Sequence, residues 1–140
     1  MPLREVRIDP PTDASIREAV RAIEIPSKAQ LEIAVLCVPL ARRIAADGFK
    51  ACLTGEGADE LFGGYGNMII KSSSLGDDGW KKLRRDQLEK MGRGNFVRCN
   101  KAFMAAGVEA RLPFLDPQIV ELALGLGKAE CPPGKKLLKE

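Results

Sequence analysis

The glycine-rich stretch TGEGADELFGGYG, at residues 54–66, contains three carboxylates, those of Glu56, Asp59 and Glu60. A loop that binds a bare phosphate usually carries Lys or Arg, whereas this loop carries acids and so holds a metal or faces a cation. Its glycines would let backbone N–H groups approach an anion closely, while Asp59 could hold a Mg²⁺ ion carried by that anion. The stretch therefore indicates a site for a metal-bound polyphosphate.

A structural interpretation of the same residues stays open. The helix dipole favours Asp and Glu in the first turn of a helix, so the stretch could be a turn that leads into a helix. It is not a dinucleotide fingerprint, because Glu60 stands where the third glycine is needed, and it is not a P-loop, because no Gly-Lys-Ser/Thr follows. Glu56, which lies between Gly55 and Gly57, could contact a substrate ammonium group or act as a base.

The composition narrows the available chemistry. The 140 residues have a net charge of +3 and contain no histidine. This excludes Ser-His-Asp and Cys-His catalysis and every histidine-containing metal site, so any metal must be bound mainly by oxygen, which suits Mg²⁺. The four cysteines form no Cys-x-x-Cys pair and are expected to be reduced thiols.

Neither a membrane nor a nucleic acid is expected as a partner. No apolar run approaches the roughly 20 residues that span a bilayer, and the N-terminal MPLREVRIDP lacks the apolar core of a signal peptide, which predicts a cytoplasmic location. The densest basic stretch, residues 81–85, is predicted to lie on a helix whose apolar stripe faces the other way. We therefore expect these charges to form a solvated helix surface rather than a nucleic-acid site.

The pattern of elements is helix, strand, glycine-rich loop, as in an open parallel α/β sheet. A short strand at residues 6–8 is followed by a helix with a capping box at Ser15 and by a second helix from Ser27 to Ala46, which Pro39 is expected to kink or break. Asp47-Gly48 ends that helix. Residues 49–53 then form a short buried strand, so the acidic loop follows the carboxyl end of a strand, where ligands bind in such sheets.

The second half of the sequence is mostly helical. Helices are predicted at about residues 80–91 and 95–106, followed by the extended segment GVEARLPFLDP. Asp116 is a good N-cap for a helix that runs to about Leu126, and the tail CPPGKKLLKE begins one more helix. Because two strands are too few for a doubly wound sheet, the chain is expected to be one partial α/β domain, residues 1–140, of a larger fold.

Four segments of the sequence resemble the synthetase domain of the glutamine-dependent asparagine synthetases. TGEGADELFGGY is similar to that family's SGEGSDE-x-FGGY signature. Residues 98–102 and 107–116 are similar to its RxNKA and GVEARxPFLD segments, with the same spacing. Residues 134–139, GKKLLK, resemble the start of its lysine motif, K-x-x-L-R, with Lys139 in place of the arginine. The resemblance covers nearly the whole chain.

The resemblance implies a fold and a reaction. The fold would be the helix-rich part of an adenine-nucleotide α-hydrolase-like synthetase domain, which is Rossmann-like with a parallel sheet. The reaction would activate the side-chain carboxylate of aspartate with ATP and Mg²⁺, giving β-aspartyl-AMP and pyrophosphate. Ammonia released from glutamine would then attack to give asparagine.

Functional residues of the family's loop motif have counterparts at individual positions of the acidic loop in this chain. Asp59 matches the carboxylate that holds the metal and pyrophosphate, and it is the expected metal ligand. Gly55 and Gly57 match the glycines that let the phosphates approach closely. Glu56 matches the residue at the aspartyl acceptor site and is a candidate catalytic residue.

Three further candidates lie outside the loop. Lys135, with Lys136 as a one-residue alternative, matches a lysine that can stabilise negative charge in the adenylation or amide-forming step. Glu109 is a candidate catalytic residue and Arg111 a candidate nucleotide-binding residue. Because residues two apart in an extended segment point the same way, Glu109 and Arg111 could pair with each other, bind ligand or position the loop.

The sequence also departs from the family pattern. Pro2 stands where a glutaminase domain has its nucleophilic cysteine, no Ser-Gly-Gly pyrophosphate loop occurs, and Glu32 lies where the family tends to carry Arg-x-Ser. These departures predict a fragment or subunit that self-associates or needs a partner chain to complete the site. The alternative is a non-catalytic binding or interaction protein that retains the synthetase scaffold.

Overall fold

A computed structural model describes residues 5–139, which divide into two compact units. One unit comprises the described residues up to Leu53 together with residues 94–111, and the other comprises residues 54–93 and those from Leu112 onward. The prediction of a single partial domain over residues 1–140 stays a prediction.

The secondary structure of the described residues is mainly helical. In chain order the elements are α1 (Asp13–Ile23), α2 (Lys28–Ala46), β1 (Ala51–Leu53), α3 (Ala58–Phe62), α4 (Gly66–Ser72), α5 (Asp77–Met91), α6 (Asn95–Met104), β2 (Glu109–Arg111) and α7 (Pro117–Gly125). Two single 3₁₀ turns, Pro113–Leu115 and Lys136–Leu138, lie on either side of α7. The tail therefore forms one 3₁₀ turn where a further helix was expected.

The start of the chain corrects two predictions. Residues 6–8 form no strand, and the segment continues into Pro10 and Pro11, which have no backbone N–H to donate to a neighbouring strand. The capping box of α1 uses Thr12 and Ser15, three residues before the predicted pair, because the Thr12 hydroxyl accepts from the Ser15 N–H.

The helices of the first unit pack around small apolar side chains. Ala19 and Ile23 of α1, Ala34 and Val38 of α2, and Ala102 of α6 are all buried in one cluster. The two residues of α1 lie four apart, as do the two of α2, so each pair lies on one face of its helix.

Helix α2 contacts α6 through its first turn and continues past its internal proline. The Ser27 side chain makes no capping hydrogen bond; instead Gln30 donates to Asn95 and accepts from Arg98 of α6, at 2.9 and 2.8 Å. The helix runs unbroken through Pro39, which contradicts the predicted break, whereas the alternative of a kink stays a prediction. It ends at Ala46 with Gly48 at φ 89°, as the Asp-Gly signal predicted.

The sheet consists of two parallel strands, as the sequence predicted for an α/β protein. Ala51 lies opposite Glu109, and Leu53 lies opposite Arg111. The prediction that β1 is buried is wrong, since Leu53 is 75% exposed and Phe49 before it is 58% exposed. Within residues 5–139, β1 pairs with β2 along one edge, and no strand lies along its other edge.

The second unit buries a mixed core. Leu61, Phe62, Ala123 and Cys131 form one apolar cluster, and Phe62 packs edge-on against Phe114 at 5.8 Å between ring centroids. All four cysteines of the chain are thiols in the structure, as expected. None of the described helices combines the length and apolar character needed to cross a membrane.

Helix α5 corrects the prediction for residues 81–85. Arg84 is fully buried, whereas Lys82 and Arg85 are exposed. Arg84 lies one helical turn after the buried Trp80 and two turns before the buried Met91, so it belongs to the inward face of α5. The predicted solvated surface is therefore confirmed for Lys82 and Arg85 and is wrong for Arg84.

Helix α7 begins as predicted. The Asp116 carboxylate accepts a hydrogen bond from the Gln118 N–H at 2.9 Å, and Pro117 is the first helical residue. Asp116 is thus a helix cap, as the sequence indicated.

Candidate functional site

Gly57 forms the N-cap of α3 in a left-handed conformation, with φ 96° and ψ −21°. A Cβ at this position would lie 2.7 Å from Leu115 Cδ2. The positive φ favours glycine, and the side of Gly57 where a side chain would project is filled by Leu115 of the same unit. The need for glycine here comes from backbone conformation and packing.

Gly55 has a different environment. A Cβ built on Gly55 meets no described atom within 4 Å, apart from its chain neighbours, and its φ lies outside the left-handed range. The protein's own packing thus gives no reason for glycine at this position, and the space beside it is open to a ligand.

Asp59 and Lys135, two residues that the sequence singled out separately, form an ion pair. Lys135 Nζ lies 2.7 Å from Asp59 Oδ1, and the two side chains are 35% and 38% exposed. Asp59 lies in the first turn of α3, so its carboxylate also satisfies the helix-start interpretation. The pair is accessible to a small ligand in solvent.

The backbone around Lys135 explains how the tail reaches Asp59. Gly134 and Lys135 both adopt left-handed conformations, with φ of 89° and 56°. Their N–H groups donate to the carbonyls of Gly63 and Phe62 at 2.8 and 3.0 Å. The tail is thus hydrogen-bonded to the C-terminal end of α3, the helix whose first turn contains Asp59.

Gly64 is a site residue that the sequence analysis missed. A Cβ at Gly64 would lie 1.7 Å from Asp59 Oδ1 and 3.0 Å from Lys135 Cε. Glycine therefore leaves the space in which the carboxylate and the ammonium meet. The Gly63-Gly64 pair is visible in residues 54–66, but a sequence alone does not indicate which side chain fills the space beside Gly64.

A second polar pair lies beneath the loop. The Tyr65 hydroxyl donates to Glu60 Oε1 at 2.6 Å, and Glu60 is 2% exposed. Burial raises the pKa of Tyr65, and the charges of Glu60, Asp59 and Glu56 raise it further. The phenol therefore stays protonated and serves as a hydrogen-bond donor to the buried carboxylate.

Glu109 and Arg111 form an exposed ion pair in the first unit, with Arg111 Nε 3.2 Å from Glu109 Oε1. Both side chains are about 60% exposed. Mutual pairing, one of the three roles left open by the sequence, is therefore present. Glu32, which lies where the family tends to carry Arg-x-Ser, is also exposed, and its Oε1 lies 3.7 Å from Lys28 Nζ on the same helix.

The donor set limits the kind of metal site that the chain can form. Among residues 5–139, no group of three or more His, Cys, Asp or Glu side chains is arranged to hold a metal ion. Mg²⁺ that arrives with a polyphosphate needs less, because one or two carboxylates then suffice beside phosphate oxygens and water. Asp59 fits that second kind of site.

The described residues form a helix-rich α/β fold, and Asp59 of the acidic, glycine-rich stretch pairs with Lys135. The family model described as asparagine synthase matches residues 3–87 and residues 68–137. The chain therefore belongs to the asparagine synthase family, as the resemblance predicted.

Relatives in yeast, bacteria and plants agree with this assignment. Asparagine synthetase [glutamine-hydrolyzing] 1 of Saccharomyces cerevisiae is 35% identical over 100 residues, which are 71% of this chain and 16% of the yeast protein. Asparagine synthetase B [glutamine-hydrolyzing] of Escherichia coli is 32% identical over 126 residues, 86% of this chain and 22% of the bacterial protein. Asparagine synthetase [glutamine-hydrolyzing] 3 of Arabidopsis thaliana is 30% identical over 112 residues, 80% of this chain and 19% of the plant protein. The chain thus spans about a fifth of the length of these relatives.

Proposed function

We propose that this chain is the metal- and pyrophosphate-binding part of an ATP-dependent amide ligase of the asparagine synthetase type. The whole enzyme would make asparagine with ammonia from hydrolysed glutamine, as the names of the relatives suggest. Adenylation of the aspartate side chain before amidation is what the resemblance of the motifs implies. Its fold would be part of an adenine-nucleotide α-hydrolase-like domain, to which the parallel pair β1–β2 would belong. A cytoplasmic location remains a prediction of the sequence.

The observation that carries this proposal is the contact between Lys135 and Asp59 at 2.7 Å. Asp59 would hold Mg²⁺ that arrives with the triphosphate, and bound Mg²⁺ would neutralise charge on the departing pyrophosphate. Lys135 would turn from Asp59 to the phosphate oxygens or to the acyl oxygen, where negative charge develops in the transition state. Before the ligand binds, the ion pair would hold both side chains in place and balance their charges.

The remaining candidates would have separate roles, those in the acidic loop within the second unit and those on β2 within the first. The open space beside Gly55 would admit phosphate oxygens to the loop backbone. Glu56 would bind the ammonium group of aspartate or act as a base. Arg111 would bind nucleotide and Glu109 would orient Arg111 through their ion pair, or take part in catalysis.

Isothermal titration calorimetry of the chain with pyrophosphate, with and without Mg²⁺, tests this function. We expect Mg²⁺-dependent binding that weakens about 10- to 100-fold in Asp59→Asn, because one charge-assisted contact is lost. Lys135→Met should weaken binding of pyrophosphate by a similar factor.

The exposed pair Lys82–Asp86 on α5 provides matched controls, since Lys82 Nζ lies 3.1 Å from Asp86 Oδ2. Asp86→Asn and Lys82→Met change the same charges in the same unit and should leave the affinity unchanged. Equal affinity in Asp59→Asn and Asp86→Asn would refute the role of Asp59. It would favour instead a binding or interaction protein that retains the scaffold.

A further inference from the structure

Helix α5 carries a buried cation that the proposed chemistry does not use. Arg84 is fully buried, and its NH1 group donates to the carbonyls of Leu61 and Ala123 at 3.2 and 2.7 Å. Its NH2 group donates to the carbonyl of Leu126 at 2.6 Å. Within residues 5–139, no carboxylate pairs with this guanidinium.

The carbonyls that accept from Arg84 lie at helix ends. Leu61 belongs to the last turn of α3, while Ala123 and Leu126 lie at the end of α7. The last carbonyls of a helix lack intrahelical partners and carry the negative end of the helix dipole. A single guanidinium therefore compensates the ends of two helices, and its charge is balanced by dipoles rather than by an acid.

Trp80, one turn earlier on α5, contacts the two chain segments that form the Asp59–Lys135 pair. Its indole N–H donates to the carbonyl of Cys131 at 2.9 Å, and Cys131 leads into the tail that carries Lys135. Its ring also lies against Gly63, where an added Cβ would come 2.3 Å from Trp80 Cη2. Trp80 thus touches the residue that follows α3 and the segment that precedes Lys135.

Taken together, two adjacent turns of α5 hold both halves of the ion pair. Arg84 fixes the end of α3, two residues beyond Asp59, and Trp80 fixes the tail four residues before Lys135. On the basis of the function proposed above, we propose that Trp80 and Arg84 are positioning residues that keep Asp59 and Lys135 at contact distance. They touch no substrate themselves and act through the backbone of α3 and the tail.

Hydrogen exchange in the variant Trp80→Phe tests this role without any ligand. Phenylalanine keeps an aromatic ring in the core but cannot donate to the Cys131 carbonyl. Loss of this buried hydrogen bond should let the tail open more often, so the amides of Gly134 and Lys135 should exchange about tenfold faster. These are the amides that donate to Gly63 and Phe62.

The matched control is Lys128→Met, which also removes side-chain hydrogen bonds to carbonyls in the second unit. Lys128 Nζ donates to the carbonyls of Ser72 and Leu75, which belong neither to α3 nor to the tail. Exchange at Gly134 and Lys135 should rise in this control only as much as in the rest of the unit. If Trp80→Phe likewise accelerates all amides of the unit equally, or none, Trp80 is structural and the proposal is overturned.

Arg84→Lys provides a second, independent variant. Lysine keeps the charge but cannot reach three carbonyls at once, so the Gly64 amide, which donates to the Asp59 carbonyl, should exchange selectively faster. Pyrophosphate calorimetry on the same variants separates this proposal from the proposed function. If these amides exchange selectively faster in the variants but the chain binds no pyrophosphate, the positioning role is retained and the proposed function is rejected. If exchange of these amides is unchanged, the positioning role is rejected whether or not pyrophosphate binds.

Discussion

At the residue scale, three glycines of the acidic loop have three different environments. Gly57 is left-handed and packs against Leu115, and Gly64 leaves space for the Asp59 carboxylate, whereas Gly55 faces open space. A sequence motif presents these glycines as equivalent. The structure separates those that shape the loop from the one that is available to a ligand.

Replacement of Gly57 by alanine should destabilise the fold by about 2 kcal/mol or more, because a left-handed L-residue is strained and the new Cβ overlaps Leu115. Gly55→Ala is the matched control and should change the unfolding free energy by less than about 0.5 kcal/mol. Chemical denaturation of both variants measures this difference. Equal losses would show that Gly57 has no special conformational role.

The single tyrosine gives a pH-dependent prediction. Burial and Glu60 raise the pKa of Tyr65 in the folded chain above its unfolded value, which is about 10. A raised pKa means that the folded chain binds this proton more tightly than the unfolded chain, so the associated stability is present below pH 10 and is lost as the pH rises above it. Tyr65→Phe should remove this alkaline decline.

Tyrosinate absorbance measures the titration directly, because the chain contains one tyrosine. The folded chain should show no tyrosinate until the pH is well above 10, whereas the chain in concentrated urea should titrate near 10. A folded-state midpoint equal to that in urea would contradict both the burial of Tyr65 and its hydrogen bond to Glu60.

At the element scale, α2 continues through Pro39 although proline cannot donate to the carbonyl of Val35. Pro39→Ala restores that hydrogen bond and should raise the unfolding free energy by about 1–3 kcal/mol. Pro117→Ala is the control, because proline at the first position of α7 is already favourable. A loss of stability in Pro39→Ala, measured by thermal denaturation, would show that the proline ring is needed for packing.

Local signals predicted the ends of the elements better than the interactions between them. The Asp116 cap and the left-handed Gly48 follow from short-range chemistry, and both were predicted. The burial of Arg84 was not, because its partners are helix-end carbonyls that no residue type marks in a sequence. The contact of Lys135 with Asp59 was likewise missed, since the resemblance gave each residue a role but no distance.

At the scale of the whole molecule, the chain is a family member that spans about a fifth of its relatives' length. Its two compact units carry different parts of the candidate chemistry: the acidic loop and Lys135 belong to one, and Glu109 and Arg111 to the other. The 140 residues contain no Ser-Gly-Gly loop to donate N–H groups to the phosphates.

A polypeptide of these 140 residues should therefore make no asparagine from aspartate, ATP, Mg²⁺ and ammonia. One missing oxyanion donor already lowers a rate by about 10²–10³, and a missing loop removes several. The edge of β1 that does not pair with β2 should also favour pairing with another chain or a second copy. Assays of pyrophosphate and asparagine, with size-exclusion chromatography, test both statements; steady turnover by a monomer would contradict them.

The central claim is that Asp59 and Lys135 receive a metal-bound pyrophosphate, and paramagnetic relaxation with Mn²⁺ in place of Mg²⁺ tests it most directly. Adding Mn²⁺-pyrophosphate to the isotope-labelled chain should broaden the amide signals of residues 59–64 and of Lys135 before all others. The broadening should disappear in Asp59→Asn and persist in Asp86→Asn. Broadening centred on another part of the chain, or equal broadening in Asp59→Asn, would contradict the claim.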